Sequence, residues 1–393
     1  MSISNGIRNL STATLGAALI TLGIPKLAIG ASLYSILDLG TLGGERTDEI
    51  GVSDINNSGQ VVGYADAPGG LEFNHAFLAE KGSIKDLGTL GGYNSAARGI
   101  NNSKQVVGES LNSSLLRRGF LWEKGVMTEL KTLGGPWSVA TNINDAGTVV
   151  GFSTPTGTTE EEHAVLWKNG QIQDLGTLNN SSYSFPSDIN ELEQVVGYSD
   201  GRAFLWENGV TKDLGTLGGD NSSAYSINNL GQVVGYSDVE YGFPRHAFLW
   251  EDGVMESLGT LGGDDSYAYD INNLGQVVGS SQTGKLREYP YLPSNLTEEI
   301  AHGFLWENGV MTDLNTLIPD SSGWEVISSW GINDLGQITG VGVKNSQWRA
   351  FLMSPKSVPE PGSIFGSLLA LTGGVGLALK YKKYKQFNGD FKS

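Results

Sequence analysis

The stretch INNLGQVVG, from Ile271 to Gly279, decides the fold because it recurs along the chain. Related copies, with variation, end at Gly63, Gly108, Gly151, Gly197, Gly235 and Gly340. Most copies follow one another at intervals of 38 to 46 residues, and the seven repeats cover nearly everything from Leu33 to Pro355. Repetition at this period is typical of solenoids and propellers.

Each repeat predicts four short strands. AYSIN (Ala224–Asn228) and QVVGYS (Gln232–Ser237) are β-type runs joined by NLG, a tight turn whose glycine can adopt a positive φ. AFLWENGVTKDLG, which starts at Ala203, holds two further runs around Asn208 and Gly209, a two-residue hairpin signal. Four strands in about 44 residues is the size of one propeller blade.

The two ends of the repeat region are fragments. The region starts with a lone fourth-type strand, Leu33–Gly40, and ends with a lone third-type strand, Trp348–Pro355. Each strand type occurs seven times only if these fragments share a blade. We therefore predict an all-β, seven-bladed β-propeller of four-stranded blades, closed by pairing of the N-terminal strand with the C-terminal blade, which leaves no open sheet edge. Insertions at Ser153–Glu162 and Ser280–Ala301 lie between second and third strands and are interpreted as loops.

The composition agrees with a turn-rich β protein and excludes several functions. The chain has 56 glycines and only 17% charged residues. A net charge of −17 repels a phosphate backbone, so no nucleic-acid partner is expected. The absence of cysteine removes disulfides, thiolate nucleophiles and thiolate metal sites.

The N-terminal residues 1–31 are typical of a secretory signal peptide. A weakly basic start with Arg8 precedes an apolar run, Ala13–Ile24, and the small residues of Ala28–Ala31. An ordinary N-terminal helix is the alternative interpretation. The signal peptide predicts export.

The C-terminal segment predicts a membrane anchor. Residues 356–363 contain the motif Val358, Pro359, Glu360 and Pro361, a stiff extended linker. Residues 364–379 are an uncharged run, interpreted as a transmembrane helix, and 380–393 form a basic tail. The tail contains the lysines Lys380, Lys382, Lys383 and Lys385. These lysines predict that the tail is cytoplasmic and that residues 32–355, the propeller, face outward.

This tail resembles the PEP-CTERM sorting signal of Gram-negative and cyanobacterial exported proteins, although its basic cluster is all lysine where that family usually has arginine. The resemblance implies transient recognition by an exosortase-like membrane protease and processing near Val358–Pro361. It also implies that the mature protein reaches the cell surface or the extracellular matrix. A simple C-terminal membrane anchor is the alternative.

The repeats themselves resemble the bacterial extracellular HAF repeat, named for the tripeptide found at His75–Phe77 and His246–Phe248. The resemblance covers residues 33–355, and the elements DLGTLGG and INxxGQVVG are its specific parts. It implies surface export, and no general activity comes with it.

Two columns of equivalent residues invite a functional interpretation. Just before the third strand stand His75, His163, His246, His302, Arg118, Arg202 and Arg349. A sevenfold residue indicates scaffold, so we expect these side chains to donate to a carbonyl or carboxylate at a strand end, with no metal or catalytic role. Within the third strand stand Trp122, Trp167, Trp206, Trp250 and Trp306, with Ala79 and Met353 in the other copies. Packing between blades is the favoured interpretation, and sugar stacking is the alternative.

Two further patterns suggest minor alternatives. Threonines in the crossing segments stand at Thr41, Thr89, Thr132, Thr177, Thr216, Thr260 and Thr316. They suit an ice-binding array only if the repeats stack flat, because a propeller arranges them in a ring. The turns that start at Asp54 and Asp270 suggest calcium loops, but they lack the ligand pattern of such loops and are explained by turn chemistry. No cofactor or metal is expected.

The sequence thus predicts a non-enzymatic exported propeller that binds an extracellular polysaccharide or a surface protein through its loops. Tyr289, Tyr291 and Leu292 of the long insertion are the expected contacts, because exposed loop aromatics have no core to fill. A glycan hydrolase or lyase is the alternative. Its acids would come from the insertions, which contain Glu160, Glu161, Glu162, Glu298 and Glu299.

Overall fold

The computed structural model describes residues 33–45, 50–69, 73–240, 242–288 and 297–356. Within these ranges the helices and strands are all β-strands apart from three single-turn 3-10 helices, Leu178–Asn180, Leu314–Thr316 and Asp320–Ser322. The strands form seven four-stranded antiparallel sheets. The predicted seven-bladed all-β propeller is confirmed.

Each of the first six blades takes four consecutive strands, counted from the inside outward. Blade one contains β2 (Ile50–Ile55), β3 (Val61–Asp66), β4 (Asn74–Glu80) and β5 (Ser83–Asp86); blade two β6 (Gly91–Ile100), β7 (Val106–Asn112), β8 (Arg117–Glu123) and β9 (Val126–Glu129); blade three β10 (Gly134–Ile143), β11 (Val149–Pro155), β12 (His163–Lys168) and β13 (Gln171–Gly176). Blade four contains β14 (Ser184–Ile189), β15 (Val195–Ser199), β16 (Arg202–Glu207) and β17 (Val210–Asp213); blade five β18 (Ser222–Ile227), β19 (Val233–Asp238), β20 (Arg245–Glu251) and β21 (Val254–Gly259); blade six β22 (Ser266–Ile271), β23 (Val277–Glu288), β24 (Thr297–Glu307) and β25 (Val310–Asp313).

Blade seven is assembled from both ends of the repeat region. Its inner strands are β26 (Trp324–Ile332), β27 (Ile338–Lys344) and β28 (Gln347–Pro355), and its outer strand is β1 (Tyr34–Asp38). β1 pairs antiparallel with β28, with Tyr34 opposite Pro355 and Asp38 opposite Phe351. The lone first and last strands therefore lie in one sheet.

The glycine that ends each INxxGQVVG copy is required by close backbone approach. A Cβ at Gly63 would lie 2.0 Å from the carbonyl oxygen of Gly51 on the neighbouring strand, and one at Gly279 would lie 1.9 Å from that of Tyr267. The equivalent glycines of the other five blades meet the same carbonyl at 1.9 to 2.1 Å. Any side chain here would push the first and second strands apart, which explains why this residue is glycine in all seven repeats.

The core lies between neighbouring blades. One cluster joins Val196 and Leu205 of blade four to Phe248 and Trp250 of blade five. The tryptophans of the third strand are buried in this way in blades two to five, and Trp306 of blade six packs half-buried against its cluster. The interpretation of the tryptophan column as core is confirmed.

The two ends of the blades form two different faces. First-to-second and third-to-fourth connections lie at one end, which we call the turn face; second-to-third connections and the crossings between blades lie at the other, which we call the loop face. The insertion Ser280–Ala301 was expected to be a loop on this second face. That expectation is wrong for part of it, because β23 and β24 continue as a hairpin with Leu286 opposite Glu299 and Glu288 opposite Thr297.

Among the described residues, no helix has the length and apolar character needed to cross a membrane. The predicted signal peptide (1–31), sorting motif (Val358–Pro361), transmembrane helix (364–379) and basic tail (380–393) lie outside the described residues.

Candidate functional site

A ring of asparagine side chains surrounds the propeller axis at the turn face. The asparagine that directly follows each first strand donates from Nδ2 to the main-chain oxygen of its equivalent in the next blade, at 2.9 to 3.2 Å. The pairs are Asn56–Asn101, Asn101–Asn144, Asn144–Asn190, Asn190–Asn228, Asn228–Asn272, Asn272–Asn333 and Asn333–Asn56. Each is 3 or 4% exposed. We call this set the asparagine ring.

A second ring of hydrogen bonds lies one residue further along the chain. Here a main-chain N–H of each blade donates to the side-chain oxygen of the next, from Asn57 to Asn102 at 2.8 Å and finally from Asp334 back to Asn57 at 2.9 Å. The side chains of this outer ring belong to Asn57, Asn102, Asp145, Glu191, Asn229, Asn273 and Asp334. Unlike the asparagine ring, they are mostly exposed to solvent.

Three carboxylates, in blades one, four and six, line the axis one residue before the isoleucine at the end of the first strand. Asp54, Asp188 and Asp270 each accept from the isoleucine N–H of their own blade and, through the second oxygen, from that of the next blade. The distances lie between 2.7 and 2.9 Å. These carboxylates, which we call the acidic belt, therefore tie neighbouring blades together.

Burial changes the protonation of the acidic belt. Desolvation raises the pKa of Asp54 well above its ordinary value, and the charge of Asp270 adds to the effect. Desolvation likewise raises the pKa of Asp188, and it raises that of Asp270 to about 7 against the opposing hydrogen bond from Ile332 N–H. The backbone hydrogen bonds stabilise the charged forms, but they do not offset the loss of water.

The acidic belt and both rings line an axial cavity of about 260 Å³. Its lining contains six carboxylate side chains, three in the belt and three in the outer ring, and no lysine, arginine or histidine. Within the described ranges no group of three histidine or carboxylate side chains has a geometry that could hold a metal ion. This end of the axis is polar, acidic and unfavourable for anions.

Towards the loop face, the inner strands of blades five to seven carry aromatic rings instead. Tyr225 lies 5.5 Å from Tyr269, and Tyr269 stacks on Trp330 at 4.3 Å, so three consecutive blades contribute to one row of rings. Tyr236 and Tyr267 extend the row outward, with their ring centroids 5.2 Å apart. We call these five residues the aromatic arc.

The rings of the aromatic arc are only partly covered. Trp330 is 39% exposed, and the four tyrosines are half-buried. Burial raises the pKa of Tyr225 and of Tyr269, so both phenols stay neutral at physiological pH. At the outer edge Arg245 lies 5.3 Å from the Tyr236 ring centroid and 4.8 Å from that of Phe243. The arc offers flat apolar faces next to hydrogen-bonding groups.

The column before the third strand has the structural role that its sevenfold repetition predicted. His75 Nδ1 lies 2.8 Å from Asp86, His302 Nδ1 lies 2.7 Å from Asp313, and Arg202 Nε lies 3.2 Å from Asp213. Equivalent pairs join His163 to Asp174, Arg118 to Glu129 and Arg349 to Asp38, while His246 meets Ser257. The expected contact with a carboxylate at a strand end is confirmed for six of the seven residues, and His246 meets a hydroxyl instead.

The insertion glutamates lie in two different blades, and the threonines of the crossings lie in turns. Glu160 and Glu161 are exposed and Glu162 is half-buried, all before β12 in blade three, whereas Glu298 and Glu299 lie on β24 in blade six. Threonines of the crossings serve local turns: Thr89 Oγ1 donates to Gly92 O at 2.8 Å. Tyr289, Tyr291 and Leu292 lie outside the described residues.

The axial residues were not identified from the sequence, although a signal exists. Aligning the seven repeats puts Asp54, Asp188 and Asp270 in one column, and the column before it contains Tyr225, Tyr269 and Trp330. Both columns belong to the first strand, which lines the axis of a propeller, and a register shift falls at Tyr225, Tyr269 and Trp330.

No protein-family model matches the sequence, and no curated protein matches it. Solved structures do share its fold. TolB from Acinetobacter baumannii is 11% identical over 76% of this chain and 64% of that chain, with a TM-score of 0.42. The β-propeller domain of the Trilobed protease from Pyrococcus furiosus is 10% identical over 78% of this chain and 95% of that domain, with a TM-score of 0.48.

A puromycin-hydrolyzing peptidase from Mycobacterium tuberculosis is 9% identical over 84% of this chain, with a TM-score of 0.50. This chain spans only 55% of the length of that peptidase. Likeness at these identities shows the fold alone. The fold and the axial site define the chain as a β-propeller protein.

Proposed function

We propose that the chain is an exported, non-enzymatic β-propeller of the cell surface or extracellular matrix, which binds a polysaccharide or a surface protein. One observation carries the proposal: the aromatic arc presents partly exposed ring faces at the loop end of the axis. Exposed aromatic groups next to polar side chains mark interaction sites. Stacking on flat apolar faces suits the sugar rings of a polysaccharide, so this is the favoured partner.

The use of the repeated polar residues supports a binding role. The histidine and arginine column is engaged with the fourth strand, and the acidic belt is engaged with main-chain N–H groups between blades. The insertion glutamates belong to blades three and six and are separated by other blades. A glycan hydrolase needs an acid and a base on either side of one bond, and glutamates in separate blades do not favour that arrangement.

Export and sorting are part of the same proposal and rest on the sequence. Residues 1–31 would direct secretion, residues 364–379 with the following lysines would hold the precursor in the membrane, and an exosortase-type protease would act near Val358–Pro361. Mass spectrometry of cell, membrane and medium fractions tests this. We expect a mature chain that lacks both ends, at the surface or in the medium; an untrimmed chain in the cytoplasm would contradict it.

Binding is tested with the purified full-length chain by affinity electrophoresis in gels that contain neutral or acidic polysaccharides. Trp330→Ala and Tyr269→Ala should each weaken retardation about tenfold, because each removes one stacking face. Trp348→Ala is the matched control, since Trp348 is 44% exposed on β28, outside the aromatic arc. Equal retardation of all three variants would exclude the arc as the site, and no retardation by any polysaccharide would exclude a glycan partner.

A further inference from the structure

A groove on the loop face departs from the sevenfold pattern. It lies between blades one and two, has a volume of about 490 Å³, and is lined by residues that include Tyr64, Asn74, Asn94, Arg98, Glu109 and Arg117. Its walls combine an aromatic ring, two amides and three charged side chains. It differs in character from the acidic axial cavity at the turn face.

Two of its charges stand where no other repeat has one. Arg98 belongs to the column that holds Ser53, Thr141, Ser187, Tyr225, Tyr269 and Trp330 in the other blades. Glu109 belongs to the column that holds Tyr64, Phe152, Tyr198, Tyr236, Ser280 and Val341. The scaffold is built by residues that repeat, so a charge confined to one blade is not needed for the fold.

The three charges form one cluster, and the charge of Arg117 also acts on Glu162, where it lowers the pKa against the larger effect of burial. Glu109 accepts from both Arg98 and Arg117, and its side chain is 15% exposed. Burial raises the pKa of Glu109, but the hydrogen bond from Arg117 and the charges of both arginines outweigh burial and hold the pKa below its ordinary value. Two guanidinium groups thus share one carboxylate.

Both arginines keep donors for a ligand. Their side chains are 42% and 44% exposed, far more than that of Glu109. Arg117 reaches Glu109 through Nε, and within the described residues its Nη groups make no hydrogen bond. A guanidinium is a planar fork that matches the two oxygens of a carboxylate.

Aromatic rings flank the arginine pair. The Tyr64 ring lies beside Gly51, where a Cβ would meet Tyr64 Cε1 at 2.6 Å, and Tyr64 remains 40% exposed. On the other side the Arg117 guanidinium lies 5.9 Å from the Phe152 ring centroid. A ring-shaped ligand that carries a carboxylate can therefore stack on Tyr64 while its charged group meets the arginines.

We propose that this groove binds a carboxylated sugar unit, a uronic acid, of an acidic polysaccharide. The carboxylate is bound by Arg98 and Arg117, and the sugar ring packs on Tyr64. This inference rests on the proposed function, because it names the class of glycan that a binding propeller of this kind takes.

The test is calorimetric titration of the full-length chain with oligogalacturonate and with its methyl ester, which keeps the sugar rings and removes the charge. We expect the acid to bind about ten to a hundred times more tightly than the ester, the factor that one charge-assisted pair provides. Arg98→Gln and Arg117→Gln should remove that difference. Lys212→Gln, the same change of charge on β17 in blade four, is the control and should preserve it.

Folding is followed by the melting temperature of each variant. Should Arg98→Gln fail to fold, Arg117→Lys replaces it; this variant keeps the charge, loses the planar fork and should weaken acid binding by a smaller factor. Equal affinity for acid and ester, or full acid binding by folded Arg117→Gln, overturns the inference. In that case neutral glycan binding that depends on Trp330 still supports the proposed function, whereas a loss of all glycan binding defeats both.

Discussion

Asn333 Nδ2 donates a 2.9 Å hydrogen bond to the main-chain oxygen of Asn56, 277 residues earlier in the chain. The same bond joins every other pair of neighbouring blades, from Asn56 to Asn101 onward. Blade seven is thus tied to blade one by the contact that the other blades use among themselves, and each asparagine acts as donor to one neighbour and acceptor for the other.

Asn333→Ala should destabilise the propeller by about 2 kcal/mol. The change removes the Nδ2 donor to Asn56 O and to Gln337 Oε1, and it removes the Oδ1 acceptor of the Leu335 and Gln337 N–H groups. Urea unfolding measures the loss. Asn273→Ala in the exposed outer ring is the control and should cost less than about 1 kcal/mol, because water replaces its contact. Equal losses for the two variants would count against the asparagine ring as a stabilising element.

Gly63→Ala should be among the most damaging single-methyl additions, at about 3 kcal/mol. The new Cβ would lie 2.0 Å from Gly51 O, and the sheet holds in place both the backbone that carries the Cβ and the Gly51 carbonyl. The midpoint of thermal unfolding measures it. Tyr64→Phe, one residue away, should change the midpoint little. Retention of the wild-type midpoint by Gly63→Ala would show that the two strands can separate at low cost.

Stability should fall as pH rises from 5 to 8. Burial gives Asp270 a folded-state pKa of about 7, against 3.8 for an aspartate in water, and the pKa values of Asp54 and Asp188 are also raised. The folded state therefore holds protons that the unfolded state has released, and this contribution is lost as pH passes through the folded pKa. Carboxyl groups whose pKa is lowered in the folded state, such as that of Asp86, change the stability only in more acidic solution.

The measurement for this pH dependence is the slope of unfolding free energy against pH, from urea titrations between pH 5 and pH 8. Asp270→Asn should reduce the slope whatever its absolute stability, because it removes one of the three carboxyl groups with a raised pKa and also the charge that helps to raise the pKa of Asp54. Asp86→Asn should leave the slope unchanged. A wild-type stability that rises across this window would contradict the raised pKa values of the acidic belt.

His302→Arg should be tolerated to within about 0.5 kcal/mol, whereas His302→Ala should cost about 1.5 kcal/mol. Arginine occupies the equivalent position in blades two, four and seven and meets an acid there, so it can replace the 2.7 Å contact between His302 and Asp313. Equilibrium unfolding at pH 7 compares the two variants. His246→Ala should cost less than His302→Ala, because His246 meets the neutral Ser257.

The sequence alone predicted the blades, but it did not predict the residues that line the axis. Hairpins around Asn208 and Gly209, and the recurring QVVG strand, are local features, so alternation and turn residues predict them. The asparagine of each IN pair was attributed to turn chemistry, which is half of its role: Asn56 Oδ1 accepts from Ser58 N–H, while its Nδ2 reaches the next blade. That second contact spans 45 residues and depends on the angle between blades, which no single repeat encodes.

The aromatic arc could not be predicted from single repeats for the same reason. Tyr225, Tyr269 and Trp330 are unremarkable within their own repeats, because each is an aromatic residue in a strand. They become one row of rings only when three blades bring equivalent positions to the axis. Conversely, the long insertion was interpreted as loop because its residues match no repeat column, yet Leu286 and Glu299 pair as strand.

The asparagine contacts all run in one direction around the ring, so they depend on the number of blades. Each blade donates a hydrogen bond to the next and accepts one from the blade before, so gain or loss of one repeat of about 44 residues would break this ring of bonds unless the angle between every pair of blades changed. A change of sequence on the surface of one blade is therefore easier to accommodate than a change in the number of repeats.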